Sequence, residues 1–187
     1  MNTNRMHTQF SDDMITIRPY AMADAPLLFE AARECLPDAV EWMPWCHADY
    51  SIAESESWVS ASIEKWAAGR EYNFVITDAS TGRYLGGAGL NRLDAEYNMA
   101  NLGYWVRKSE RGKGIAAAAT RLVAHFGIAE LGLQRLEVVV AVPNTASCRA
   151  AEKSGAVREG ILRKRLITAG IICDAVMHSI VADDLTK

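Results

Sequence analysis

The spacing of apolar residues changes several times along the 187-residue chain, and each change predicts a new element. Ile15 and Ile17 alternate with polar neighbours, so they predict a first strand that ends at Pro19. Helical spacing and capping residues then predict two helices, over 24–36 and 51–69. A return to period two predicts a meander of three antiparallel strands over 72–77, 84–93 and 102–106.

The second half of the chain alternates between helix and strand patterns. It predicts a helix over 114–131, a strand over 136–142, a helix over 145–154, and two strands broken at 168–170. A helix between two strands favours a parallel crossover, so we expect one mixed sheet in an α+β (mixed α/β) domain. The polar segment 1–13 is predicted to be a flexible tail, and 14–187 a single domain.

Composition narrows the function classes. The chain has 20 Lys and Arg against 23 Asp and Glu, a net charge of −3, which argues against a general nucleic-acid binder. No apolar stretch approaches the ~18 residues that span a membrane, and the first residues do not resemble a signal peptide. Four cysteines lack metal or disulfide spacing. We therefore expect a cytoplasmic protein without a metal, a nucleic-acid partner or a membrane.

The segment 111–116, Arg-Gly-Lys-Gly-Ile-Ala, is the clearest candidate site. Its glycines allow a tight turn, and a helix that begins there leaves unpaired N–H groups that favour phosphate. A Walker A loop would need Ser or Thr after a Gly-Lys pair, whereas Gly114 and Ile115 follow Lys113. The dinucleotide pattern is met by Gly112, Gly114 and Ala117, but no acidic residue ends the next strand. An NAD(P)-dependent oxidoreductase stays as an alternative.

A third pattern, Arg-x-x-Gly-x-Ala, is met by Arg111, Gly114 and Ala116. With it, the chain resembles the GNAT superfamily of N-acetyltransferases. Further motifs resemble the RimJ and RimL type, which acetylates ribosomal-protein N-termini: Trp42-Met43-Pro44-Trp45, Gly103-Tyr104-Trp105, Asn144-x-x-Ser147 and Glu159-Gly160-x-Leu162-Arg163. The resemblance implies an acyl-CoA N-acyltransferase fold, with a mostly antiparallel sheet of about seven strands flanked by about four helices.

The resemblance also implies a reaction, direct attack of a primary amine on acetyl-CoA. It implies that Ser147 gives a proton to the leaving thiolate and that the pantetheine arm lies beside a strand that separates from its neighbour. The implied cofactor contacts are Tyr104, Trp105, Val106, Arg111, Gly112, Lys113, Gly114, Ile115, Ala116, Asn144 and Ser147.

The acceptor side is less defined. Glu41 is the predicted general base, with Glu96 and His47 as alternatives, and Trp42, Trp45 and Asn91 are predicted to contact the substrate. Relatives often carry acidic residues where this chain has Asn101 and the basic run 163–165, so the acceptor stays open between a protein N-terminus and a small-molecule amine. A homodimer and a non-catalytic acyl-CoA sensor are also left open.

Overall fold

The structure, a computed structural model, describes residues 6–36, 41–43 and 45–186. The described strands are β1 (Phe10–Ser11), β2 (Ile15–Pro19), β3 (Tyr72–Asp78), β4 (Tyr84–Asp94), β5 (Met99–Val106), β6 (Arg135–Ala141), β7 (Val157–Thr168) and β8 (Ile171–Val181). The described α-helices are α1 (Ala25–Cys35), α2 (Ile52–Ala67), α3 (Ile115–His125) and α4 (Thr145–Lys153).

All of these strands form one mixed sheet in the order β1-β2-β3-β4-β5-β6-β8-β7. Strands β1 to β5 are antiparallel neighbours, and β6, β8 and β7 are antiparallel as well. The single parallel contact in the described sheet joins β5 to β6, across the α3 crossover. The predicted α+β fold is confirmed, with one more strand than the seven expected.

The extra strand lies in the segment predicted to be a flexible tail. Phe10 and Ser11 pair with Ile17 and Thr16 of β2, and the Phe10 ring lies edge-on to His125 and Phe126. The surrounding polar residues indicated a tail, so the sequence did not predict that the Phe10 ring would anchor a strand. The structure therefore places Phe10–Ser11 in the sheet, within the segment predicted as a tail, and residues 1–5 lie outside the described part of the chain.

Local signals explain where the helices begin and end. Pro26 occupies the first turn of α1, while the Ser51 Oγ accepts the Glu54 N–H at 3.3 Å and opens α2. The first helix, predicted over 24–36, extends from Ala25 to Cys35. After α3, the chain continues as a π-helical turn, Phe126–Glu130, so the predicted helix is α-helical only to His125.

Helices cover both faces of the sheet. Phe74 and Ile76 of β3 join the core that contains α3, whereas Val75 joins a second cluster with α1 and α2. Because successive strand residues point to opposite faces, this alternation places the sheet between two helical layers. Within the described chain, we find no helix with the length and apolarity needed to cross a membrane.

Candidate active site

Strands β5 and β6 separate in the middle of the sheet. Their parallel pairing covers three residue pairs and ends at Asn101 and Glu137. Beyond these residues, the described partners of β5 belong to β4, and those of β6 belong to β8. The backbone of 102–106 therefore presents an edge toward an opening, as the resemblance implies.

The loop after β5 leads directly to the N-terminus of α3. Gly112 and Gly114 have φ values of +81° and +85°, a conformation that side chains with a Cβ rarely adopt. A Cβ at either glycine would meet no atom within 4 Å, so the loop has an open outer face. The first α3 hydrogen bond joins the Ala118 N–H to the Gly114 oxygen at 3.0 Å. The amides that precede Ala118 thus lie at an exposed helix end that suits phosphate oxygens.

Two basic side chains near this loop form ion pairs with the same carboxylate. The Lys113 ammonium and the Arg83 guanidinium each lie 2.8 Å from Glu110. The hydrogen bond from Lys113 is the main reason why the pKa of Glu110 is lowered, with burial acting in the opposite direction. Arg111 is exposed and donates from Nε to the Val106 oxygen at 3.3 Å. Within the described part of the chain, no carboxylate pairs with Arg111 at the loop, while the charge of Lys113 is partly compensated by Glu110.

A buried ion pair ties the loop to α1. Arg107, which is 5% exposed, donates to Glu30 at 2.7 Å and to Glu34 at 2.8 Å. Glu34 also accepts the backbone N–H of Ser109. Burial alone would raise the pKa of Glu34, but the bonds from Arg107 and Ser109 lower it to about 2. This brace fixes the start of the loop, and no motif in the sequence announces it.

Tyr104 of β5 and Ser147 of α4 belong to the motifs that resemble the RimJ and RimL type, and the two residues are hydrogen-bonded to each other. Asn144 caps α4 by accepting the Ser147 N–H at 3.1 Å. The Tyr104 hydroxyl donates to the Ser147 carbonyl oxygen at 2.8 Å and lies 3.0 Å from the Ser147 Oγ. Burial raises the pKa of Tyr104 to about 12, although Ser147 opposes the shift. A protonated phenol on β5 therefore holds the serine in the first turn of α4.

A cleft of about 210 Å³ lies beside β4 and β5, over the glycines of β4. Trp42, Trp45 and Asn91, the three predicted substrate contacts, all line it. The remaining lining residues are Tyr20, Met43, Trp58, Asn73, Phe74, Gly87, Ala88, Gly89, Gly103, Tyr104 and Trp105. The residues 103–105 thus belong both to this cleft and to the open edge of β5.

Three glycines, at 86, 87 and 89, lie in β4 where it forms part of the cleft. They predict a bulge or a close approach, and the register between β3 and β4 shifts at Ile76 and Thr77. A Cβ at Gly87 would lie 2.7 Å from the Tyr20 Oη and 2.9 Å from the Trp105 Nε1. Tyr20, Trp58 and Asn73 were missed, because they come from segments whose patterns indicated only secondary structure.

The base candidates do not line the cleft. Glu41 is exposed and directly precedes Trp42. The His47 Nε2 lies 2.8 Å from Glu54, and Glu96 is exposed in the turn between β4 and β5. Among the residues that the structure describes, no three His, Cys, Asp or Glu side chains form a cluster suited to a metal ion.

Comparisons with known proteins agree with this geometry. Residues 14–157 match the family described as acetyltransferase (GNAT) domain. The probable N-acetyltransferase YjcK of Bacillus subtilis is 31% identical over 173 residues, which cover 91% of this chain and 95% of YjcK. The structure of a putative ribosomal-protein-serine acetyltransferase from Vibrio cholerae is 25% identical, with a TM-score of 0.78 and coverage of 94% and 98%. RimJ of Mycobacterium smegmatis, solved with CoA-disulfide, shares the fold with a TM-score of 0.86, 24% identity and coverage of 98% and 91%.

The chain therefore belongs to the GNAT family of acetyltransferases, and its similarity to the RimJ and RimL type is confirmed. It is an acetyl-CoA-dependent N-acetyltransferase. This assignment replaces the oxidoreductase alternative. The glycine loop and the open β5 edge fit the phosphates and the pantetheine arm of such a cosubstrate, since both present unobstructed backbone.

Proposed function

We propose that the protein transfers an acetyl group from acetyl-CoA directly to a primary amine bound in the aromatic cleft. The observation that carries this proposal is the shared position of residues 103–105, which adjoin the cleft and also form the open edge of β5. A donor along that edge and an amine in the cleft would approach each other at the same backbone segment. Such positioning is a large part of what an acyltransferase must provide.

Two groups of residues would hold the cosubstrate. The amides after Gly114, with Arg111, Gly112, Lys113, Ile115 and Ala116, would bind its phosphates, because the helix start offers donors and positive potential. The backbone of Tyr104, Trp105 and Val106, together with Asn144, would contact the pantetheine arm. When bound, acetyl-CoA supplies the activated acetyl thioester.

Ser147 and Tyr104 are the proposed proton-handling pair. The Ser147 hydroxyl would donate to the leaving thiolate, while Tyr104 fixes the serine rotamer by hydrogen bonding. Because the pKa of Tyr104 is about 12, the phenol stays protonated at neutral pH and does not compete as a base. This arrangement gives Ser147 the catalytic role and Tyr104 a positioning role.

Glu41 is retained as the proposed general base. It adjoins Trp42 in the wall of the cleft, so its carboxylate would act on the amine at the mouth, directly or through water. The test is kinetic: Glu41→Gln should lower kcat/KM for the amine without changing acetyl-CoA affinity. If kcat/KM is unchanged, the amine loses its proton to solvent and Glu41 is not the base.

The proposed activity is tested by measuring acetyl-CoA binding and thiol release with the same protein. Calorimetry should show micromolar binding without any amine, and thiol release should then depend on a primary amine. Ser147→Ala should bind acetyl-CoA normally and turn over slowly. Binding without thiol release for any protein or small-molecule amine would instead support the acyl-CoA sensor.

A further inference from the structure

The residues that line the aromatic cleft indicate which kind of amine it binds. None of the fourteen described residues that line it has a charged side chain. Eight of them are aromatic or methionine: Tyr20, Trp42, Met43, Trp45, Trp58, Phe74, Tyr104 and Trp105. A cleft with this lining favours apolar and flat groups over charged ones.

Ring contacts preset two walls of the cleft. The Trp45 and Trp105 rings meet with their centroids 5.3 Å apart at 68°, and Tyr20 and Trp58 meet at 4.8 Å and 80°. Both arrangements are edge-to-face, a stable geometry for aromatic pairs. These rings are thus held in place without a ligand, so binding of a planar ligand would cost little free energy for ordering them.

Amide groups provide the polarity at the other end. The Asn101 Nδ2 donates to the Asn91 Oδ1 at 3.0 Å, which fixes the orientation of Asn91 at the cleft. Asn73 also lines the cleft, and its nearby carboxylate, Glu71, is paired with Lys65 at 2.9 Å. The charge of the Glu71 carboxylate beside Asn73 is therefore already compensated, and Glu41 is the carboxylate that the proposed reaction uses at the mouth of the cleft. A second ammonium group on the substrate would lose water there and find no carboxylate in the described lining.

We infer that the acceptor is a primary amine carried by an uncharged body with an aromatic or flat apolar group, and not a polyamine. This inference rests on the proposed acetyl transfer and specifies its substrate class. In the reaction, the amine nitrogen forms the new bond to the acetyl carbon and the carbon–sulfur bond breaks. The neutral amine gives up one proton, to Glu41 or to water, and the leaving thiolate gains one from Ser147, which regains it from solvent.

The test compares phenethylamine with putrescine, two primary amines of similar length. Thiol release should show a kcat/KM for phenethylamine at least about tenfold higher, since burying an aromatic ring gains at least a factor of ten. Equal use of the two amines, or a preference for putrescine, would overturn the inference. A serine-initiated peptide that outcompetes phenethylamine would do so as well.

A binding measurement separates this inference from the proposed activity. Calorimetry with the protein saturated by CoA should show phenethylamine binding at least about tenfold tighter than putrescine. That result would stand even if no amine produced thiol release, in which case only the proposed transfer would fail. Equal affinities for the two amines would contradict the substrate class, whatever the activity.

Variants connect the preference to named residues. Trp45→Leu should lower kcat/KM for phenethylamine about tenfold more than it lowers kcat/KM for putrescine. Tyr97→Leu is the matched control, because Tyr97 is an aromatic residue that is 67% exposed and lies outside the cleft. Asn91→Asp keeps the acceptor for Asn101 and adds a charge, so it should shift the ratio toward putrescine by about tenfold. Wild-type ratios in both cleft variants would refute the inference.

Discussion

The cofactor side and the acceptor cleft meet along β5, but they are built from different parts of the chain. The proposed cofactor side uses mainly one continuous segment, from β5 through the glycine loop to α3, with Asn144 and Ser147 added from the start of α4, and it depends mainly on backbone groups. The acceptor cleft is formed by Tyr20 after β2, by Trp42, Met43 and Trp45, by α2 and by three strands, and it depends on side chains. A backbone site suits an invariant ligand such as a pyrophosphate, whereas a side-chain site can change with its substrate.

The two sides also differ in how they are supported. The loop is held by charged groups, with Arg107 between Glu30 and Glu34 and with Glu110 between Arg83 and Lys113. The walls of the cleft are supported by contacts between aromatic rings, and small residues of β4 form its floor. Substitutions on the two sides should therefore produce separable defects, one in cosubstrate binding and one in amine selectivity.

The largest expected effect comes from Gly114→Val. A β-branched residue at φ +85° is strained by about 1–3 kcal/mol and places its side chain on the open face of the loop. We expect acetyl-CoA affinity to fall at least about 100-fold, as measured by calorimetry. The loss should not alter the aromatic cleft.

Gly82→Val is the matched control for this change. Gly82 has φ +72° in the turn between β3 and β4, and a Cβ there also meets no atom within 4 Å. Both variants should lose similar thermal stability, but only Gly114→Val should lose acetyl-CoA binding. Equal affinity in the two variants would show that the phosphates bind elsewhere.

The next largest effect, on kcat, should come from Ser147 and Tyr104, which lie where the cofactor side meets the cleft. Ser147→Ala should lower kcat about 100-fold if the serine is the proton donor. Tyr104→Phe removes the hydroxyl that orients Ser147 and should lower kcat about tenfold. In the double variant, Tyr104→Phe should add little to Ser147→Ala; fully additive losses would mean that the two residues act separately.

A smaller effect is expected from Glu34→Gln in the brace beneath the loop. Glu34 is one of two carboxylates on buried Arg107, so we expect a loss of about 1–3 kcal/mol in the free energy of unfolding near pH 7. Its folded pKa of about 2 lies below the ordinary value of 4.5, so this stability is present above pH 4.5. It should disappear as the pH falls from 4.5 toward 2.

Thermal unfolding of the wild type and the variant across that pH range checks the sign. Glu30→Gln is the control, because the Glu30 side chain is 64% exposed and that of Glu34 is 27% exposed. Solvent screening should make the Glu30 effect smaller. A stability difference between wild type and Glu34→Gln that persists unchanged at pH 2 would contradict the role given to Glu34.

The two sides differ in how far the amino-acid sequence predicts them. The loop 111–116 was predictable because its glycines, its helix start and its basic residues are neighbours in the chain. Trp42, Trp45 and Asn91 were predicted to contact the substrate, and all three line the aromatic cleft. Tyr20 and Trp58 were not, because their edge-to-face contact joins residues that are far apart in sequence.

The brace and the first strand were unpredictable for similar reasons. Arg107 reaches Glu30 and Glu34 across more than seventy residues, and exposed helical carboxylates look alike in a sequence whether or not they have a partner. The β1 strand depends on the contact of one ring, Phe10, with the end of α3. Hydrophobic periodicity indicates which residues share a face of a helix or strand, but it does not indicate which other element packs against that face.

Hydrogen–deuterium exchange with and without CoA tests the central claim most directly. CoA alone should protect the amides of 112–117 at the start of α3 and reduce exchange along 103–106, while 87–91 of β4 should change little. That pattern would place the phosphates at the glycine loop and the arm at the open edge of β5. Protection confined to other segments, or none at saturating CoA, would contradict the account.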